Sequence, residues 1–210
     1  MAYQDESEHQ ERALDRLLAL SDGVFAFAIT LLSLDLVLPV VQSATNATLA
    51  AALANDFGTF QNFIMSFLVV GLYWANHSRT FRYVTRVDPR LVWINLLLLL
   101  FIVLVPFATK VLDEYGNLQV AVAFYALVNA AAGLMGEAAW IYLSRAKTLL
   151  EEGIPAEMLG WFLRRSLIAP AVFILSIPLS FIAPQLAFIS WLGMILGVLL
   201  IDRRHTRRMA

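Results

Sequence analysis

RLLALSDGVFAFAITLLSLDLVLP, residues Arg16 to Pro39, is long and apolar enough to cross a bilayer, yet it opens on Arg16, Ser21 and Asp22 and holds Thr30 mid-run. A hydrocarbon core of about 30 Å takes about 20 apolar residues in a helix. The stretch is one of six such segments, at roughly 17–40, 57–80, 91–110, 119–144, 164–182 and 186–202. None shows the alternation of a barrel strand, so helices are the expected way of satisfying the backbone in lipid. The last two segments are short and are interrupted or bounded by Pro170, Pro178 and Pro184.

The composition agrees with that pattern. Of 210 residues, 60% are hydrophobic and 15% charged, and the mean hydropathy is +0.72. A soluble domain does not need runs such as Leu91 to Ala108. With no cysteine, disulfides, thiolate metal sites and cysteine nucleophiles are excluded. The opening MAYQDESEHQER is acidic and polar, unlike a cleavable signal peptide.

Charge placement gives the topology. The 79–90 loop carries Arg79, Arg82, Arg86 and Arg90, the loop before the fifth span carries Arg145, Lys147, Arg164 and Arg165, and the tail carries Arg203, Arg204, Arg207 and Arg208. With Arg12 and Arg16, all the basic residues except Lys110 fall on one side of six spans. That side is cytoplasmic by the positive-inside rule. The expected fold is an all-α membrane protein with six transmembrane helices per subunit and both termini in the cytoplasm. The chain reads as a single domain over 1–210, with a polar cytoplasmic segment 1–15 and a basic cytoplasmic tail 203–210. Its location is then the cell (inner or plasma) membrane, as a multi-pass protein. The arginine clusters read as topology determinants and lipid-phosphate contacts, so lipids are partners and nucleic acid is not. No two-fold repeat is visible, and 45–56 and 151–157 read as polar connectors.

On a helical wheel at about 100° per residue, Arg16, Leu20, Gly23, Phe27, Thr30 and Leu34 form a seam. The seam has two readings. One is helix packing in lipid, where small and hydroxylated residues are common. The other is a pore wall, with Phe27 and Leu34 as apolar constrictions and Thr30 as a hydroxyl ring between them. Asp22 lies well off the seam. It is either an N-terminal cap, helped by Ser21 and Gly23, or a network residue with a partner on another helix. Arg16 and Asp22 are six residues apart, so they do not stack on one helix face. The second segment ends in YWANHSRTFRYV, with Trp74, Asn76, His77 and Arg79, and a His77–Asp22 contact is geometrically reasonable. Glu137 and Asp35 are further polar groups within or beside spans, with Glu137 expected to be paired or protonated. Asn95 and Asn129 read as interhelical hydrogen-bond partners.

The run Arg16-Leu17-Leu18-Ala19-Leu20-Ser21-Asp22, followed by GVFAFAITLLSLDL, resembles the RxxxFSD signature of the transmembrane protein 175 family of lysosomal potassium channels and their prokaryotic homologues. Trp74–His77 is similar to the matching second-helix WxxH. The resemblance implies a homotetramer of six-span subunits with the first helix lining a central pore. It implies a network of Arg16, Ser21 and Asp22 with His77, beside Trp74 and Asn76, and a gate and selectivity region at Phe27, Thr30 and Leu34. Two departures stand out: Leu20 replaces the signature phenylalanine, and Phe27 occupies a constriction where smaller aliphatics are usual.

The expected function is a moderately potassium-selective cation channel with a hydrophobic gate. No TVGYG-type carbonyl filter occurs in the sequence, so selection would fall to the threonine ring. The alternative is a proton-conducting or ion-coupled secondary transporter, with Glu137, Asp35 and His77 as carriers. An enzyme is not expected: HExxH, GxSxG and paired catalytic carboxylates are missing, and His9, His77 and His205 are too scattered for zinc. No cofactor and no resident metal are expected, only the transported ion.

Overall fold

The computed structural model describes the chain except Met1, Leu38, Pro39, Gln42, Glu152 and Ala210; side chains are also not described for 2–5, 7, 156, 159 and 199–209. The outer end of the first segment and the tail arginines, Arg203, Arg204, Arg207 and Arg208, therefore lie outside the described side chains.

The order is α1 (Ala2–Leu32), a 3-10 turn (Ser33–Asp35), α2 (Asn46–Asn55), α3 (Phe57–Phe81), α4 (Pro89–Tyr115), α5 (Gln119–Arg145), α6 (Ala156–Ser166), α7 (Ile168–Ile182) and α8 (Pro184–Met209). Among the described residues, five stretches are long and apolar enough to cross a membrane: Glu8–Asp35, α3, α4, α5, and Gly160–Ile182, which joins α6 to α7. Pro184–Val198 is a shorter apolar helix. The protein is a multi-pass, all-helical membrane protein.

Two expectations about boundaries are corrected. The first span does not run to 40: α1, continuous from Ala2 through the polar segment 1–15, gives way to a 3-10 turn at Ser33. The connector at 45–56 is the helix α2. Thr45 begins it with a capping box, its hydroxyl accepting from the Thr48 amide while Thr48 accepts from the Thr45 amide. That reciprocal pair satisfies two donors that a helix start otherwise leaves free.

The ends of α4 follow from residues at its start. Asp88 accepts from the Leu91 amide at 2.8 Å, and Pro89 takes the first helical position, where no amide hydrogen is needed. The break between α6 and α7 falls at Leu167, and Pro170 sits in the first turn of α7, where its ring removes a backbone donor and crowds the preceding turn. Ala183 is extended, and Pro184 restarts the chain as α8.

The core lies between α1, α3, α4, α5, α7 and α8. Tyr125, Phe173 and Trp191 meet with ring centroids 4.8 to 6.1 Å apart. The indole of Trp191 donates to Ser176 at 2.8 Å, which satisfies its N–H without water. A hydroxyl chain, Thr109 to Ser66 at 2.9 Å and Ser66 with Tyr125 at 3.1 Å, ties α4, α3 and α5 together. Here α5 and α7 approach closely because Gly133 has no side chain. A Cβ at that position would sit 2.9 Å from Cδ of Pro170, and a proline ring cannot swing aside.

Gly133→Ala is therefore expected to destabilise the subunit by about 1–3 kcal/mol through overpacking. Thermal unfolding in detergent should show a lower midpoint than the parent, whereas Gly136→Ala, with open space at its Cβ, should not.

Candidate functional site

Helix α1 has two faces. Leu17, Ser21, Phe25, Ala28 and Leu32 are buried against the rest of the subunit. Arg16, Leu20, Gly23, Phe27, Thr30 and Leu34 are all exposed. Phe27 and Leu34 show 62% and 72% of their surface. The seam read from the sequence is thus exposed, together with Ala19, Asp22, Ala26 and Ser33 beside it. Thr30 donates its hydroxyl hydrogen to the Phe27 carbonyl at 2.9 Å, so the lone pairs of its oxygen face outward. Leu34 does not sit on the α-helix. It sits on the 3-10 turn, where Ser33 donates to the Thr30 carbonyl at 2.7 Å.

Behind the buried face runs a chain of hydrogen bonds whose direction can be assigned. Asn95 Nδ2 donates to Ser21 Oγ at 2.9 Å, and Ser21 Oγ donates to the Leu17 carbonyl at 2.8 Å. The amide oxygen of Asn95 is thus the atom 2.9 Å from His77 Nε2, so His77 carries its hydrogen on Nε2. Phe81 stacks on His77 with centroids 4.4 Å apart, and Phe25 lies 5.5 Å away. The three polar residues come from α1, α4 and α3, and all are buried. His77 Nδ1 has no partner among the described residues. His77 borders a cavity of about 40 Å³, also lined by Asn76, Thr80, Asn95, Arg165 and Ser166, which is large enough for a water.

The sequence-predicted residues divide accordingly. Ser21 and His77 join one network. Asp22 does not contact His77 by a hydrogen bond: its Oδ1 accepts from the Trp74 indole at 3.0 Å, on the exposed side of the α1–α3 contact. The reason is the wheel position, which turns Asp22 one residue past the buried face that Ser21 occupies. Arg16 is exposed and takes no part in these bonds. Asn76 accepts from Arg165 of α6 at 3.5 Å, and Arg165 is buried. Glu137 is buried on α5 and accepts from Ser166 of α6, with its second oxygen unpartnered among the described residues. Asp35 forms an ion pair with Lys110 of α4, Nζ lying 3.7 Å from Oδ1. Asn129 departs from its expected interhelical role. Its side chain donates within α5 to the Tyr125 carbonyl, and the bond from Tyr73 goes to its backbone oxygen.

Asn95 carries the centre of the network, and its signal was present: it is the one polar side chain in the run Leu91 to Ala108. Arg165 had no such signal, because its sequence neighbours read as loop charge.

The sequence pattern of the endosomal/lysosomal potassium channel TMEM175 matches residues 16–106. A potassium channel of Streptomyces collinus is 40% identical over 145 residues, 67% of this chain and 69% of that protein. A potassium channel of Chamaesiphon minutus is 31% identical over 175 residues, 82% of this chain and 86% of that one.

The chain belongs to the TMEM175 family.

A crystal structure of a lysosomal potassium-selective channel TMEM175 homologue from Chamaesiphon minutus superposes with a TM-score of 0.78 at 27% identity, covering 90% of this chain and 97% of that one. Animal relatives named endosomal/lysosomal proton channel TMEM175 match over a shorter part: the Gallus gallus protein is 31% identical over 109 residues, 22% of its length. This TMEM175 chain is thus a membrane cation channel, and its family is one of ion channels. The matched segment 16–106 contains every member of the Ser21–Asn95–His77 chain, whereas Glu137 and Arg165 lie beyond it.

Removing the central amide should leave His77 N–H and Ser21 both short of a partner in hydrocarbon. Asn95→Ala is expected to cost about 1–3 kcal/mol, read as a lower unfolding midpoint in detergent. The combined apolar variant Ser21→Ala, Asn95→Leu, His77→Phe should regain much of that loss, since no buried polar group is then stranded.

Proposed function

We propose that four copies of this chain surround an axis lined by α1 and conduct potassium in preference to sodium across the cell membrane, with both termini in the cytoplasm. The carrying observation is the exposed seam. Phe27 and Thr30 on α1 and Leu34 on the turn that follows it are left uncovered, and a pore needs several such helices around one axis. Asp22 and Trp74 support the same reading. A carboxylate at the surface of a membrane helix is costly against lipid tails, so a neighbouring copy or water has to cover it. The names of the bacterial relatives as potassium channels favour the ion, and the near one-sided arginines favour the topology.

In this reading Phe27 and Leu34 form two apolar collars that exclude water, and hence ions, when narrow. Thr30 sits between them. Its hydroxyl hydrogen is committed to the Phe27 carbonyl, so its oxygen offers lone pairs to a cation that has shed part of its hydration shell. Potassium sheds water at lower cost than sodium and passes more readily. Selectivity is moderate because single hydroxyls are fewer and less rigid than stacked carbonyls. The Ser21–Asn95–His77 chain holds α1 in rotational register, since a turn of the helix would break the bond from Asn95 to Ser21.

Proton conduction is the second reading. It is favoured by the naming of the animal relatives as proton channels and by Glu137, whose second oxygen is buried without a partner among the described residues.

Three measurements test these readings. In bilayers with potassium on one side and sodium on the other, Thr30→Ala should move the reversal potential toward zero; an unchanged potential rejects the threonine ring. Leu34→Ala should raise potassium flux into liposomes several-fold, and no change counts against the collar. A pH dye in the same liposomes separates proton from potassium current.

A further inference from the structure

Lys110 is the one basic residue on the side of the spans opposite the arginines. The pore reading leaves it without a role. Its ammonium lies 3.7 Å from Oδ1 of Asp35, the residue after Leu34 and the last of the 3-10 turn that ends the pore helix. The lysine side chain is 58% exposed and the aspartate 27%, so both charges remain in contact with water. Nearby, Asp113 of the same α4 face accepts from Thr59 and Asn62 of α3, at 3.0 Å each. Asp113 also borders one outer depression with Asp35 and Asp56. The local balance is therefore negative, and Lys110 is the cation that offsets it.

We propose that the Lys110–Asp35 pair sets the electrostatic potential at the outer mouth of the conduction path, and that Lys110 limits how strongly the mouth concentrates cations. This rests on α1 lining the pore with Leu34 at its outer end. Repeated in every subunit, the pair places equal and opposite charges around the mouth. Neutralising the lysine leaves a ring of carboxylates, which draws cations in. Neutralising the aspartate leaves a ring of ammonium groups, which repels them. The reach of either ring is about 30 Å in about 10 mM salt and about 3 Å in about 1 M salt.

A packing tether between α4 and the end of α1 behaves differently: loss of either partner then has the same consequence. The sign of the two single substitutions separates the cases. In about 10 mM potassium, Lys110→Met should raise unitary conductance by about twofold or more, and Asp35→Asn should lower it by a similar factor. The double variant should return near the parent, and all differences should shrink in about 1 M salt. Changes of equal sign, or none in dilute salt, overturn the proposal.

Folding effects are avoided by altering the charge after assembly. The chain has no cysteine, so Lys110→Cys offers a single thiol. In the open channel, an ammonium-bearing thiol reagent should lower the current and a sulfonate-bearing one should raise it. Identical responses to both reagents reject the mechanism. The underlying pore reading is tested separately by Leu34→Cys, where either reagent should block. Block at Leu34 with no charge effect at Lys110 leaves the pore and removes the present inference. Absence of block at Leu34 removes the pore reading itself.

Discussion

Hydrocarbon offers a polar side chain no water, and the subunit is organised around that constraint. Ser21, Asn95 and His77 meet from three helices and satisfy one another in a fixed direction, ending on the Leu17 carbonyl. Apolar contacts between membrane helices slide at small cost, because lipid tails are as apolar as the side chains they replace. Directional bonds do not slide. The network therefore decides which side of α1 faces its own subunit, and by exclusion which side is left uncovered.

That exclusion is where structure passes into function. The buried residues Leu17, Ser21, Phe25, Ala28 and Leu32 take one face, and Phe27, Thr30 and Leu34 necessarily take another. Within the exposed face, Thr30 is polarised by its own backbone, its hydrogen directed at Phe27 and its lone pairs outward. The switch to a 3-10 turn at Ser33 changes the direction of the chain just where Leu34 is presented. In the proposed pore, the shape of the outer constriction thus depends on the end of a helix rather than on its middle.

The two ends of the molecule solve different problems. At the arginine-rich end, buried Arg165 is brought to Asn76, and Glu137 takes a bond from Ser166. These contacts lie inside the subunit, where unbonded polar groups are costly. At the other end the polar groups are half in water. Asp113 receives two neutral donors, and Asp35 receives the single lysine. Charges there are cheap to hold and act over distance, which suits a mouth rather than a scaffold.

Much of this was legible in the sequence. The apolar runs, the one-sided arginines and the seam of α1 are local or periodic features, and periodicity survives folding unchanged. Asn95 was visible as the lone polar residue of its run, but not as the link between Ser21 and His77. Asp22 makes its hydrogen bond with Trp74 rather than with His77 because one helical residue is about 100° of rotation: Ser21 turns inward and Asp22 meets Trp74. The helix at 46–55 was missed because its start depends on a capping pair of threonines rather than on an apolar run. The sequence by itself determined that the chain spans a membrane and which stripe of its first helix is unusual. Tertiary structure alone decided which polar groups pair, since a hydrogen bond between helices depends on their relative rotation and depth, and no single helix carries that information.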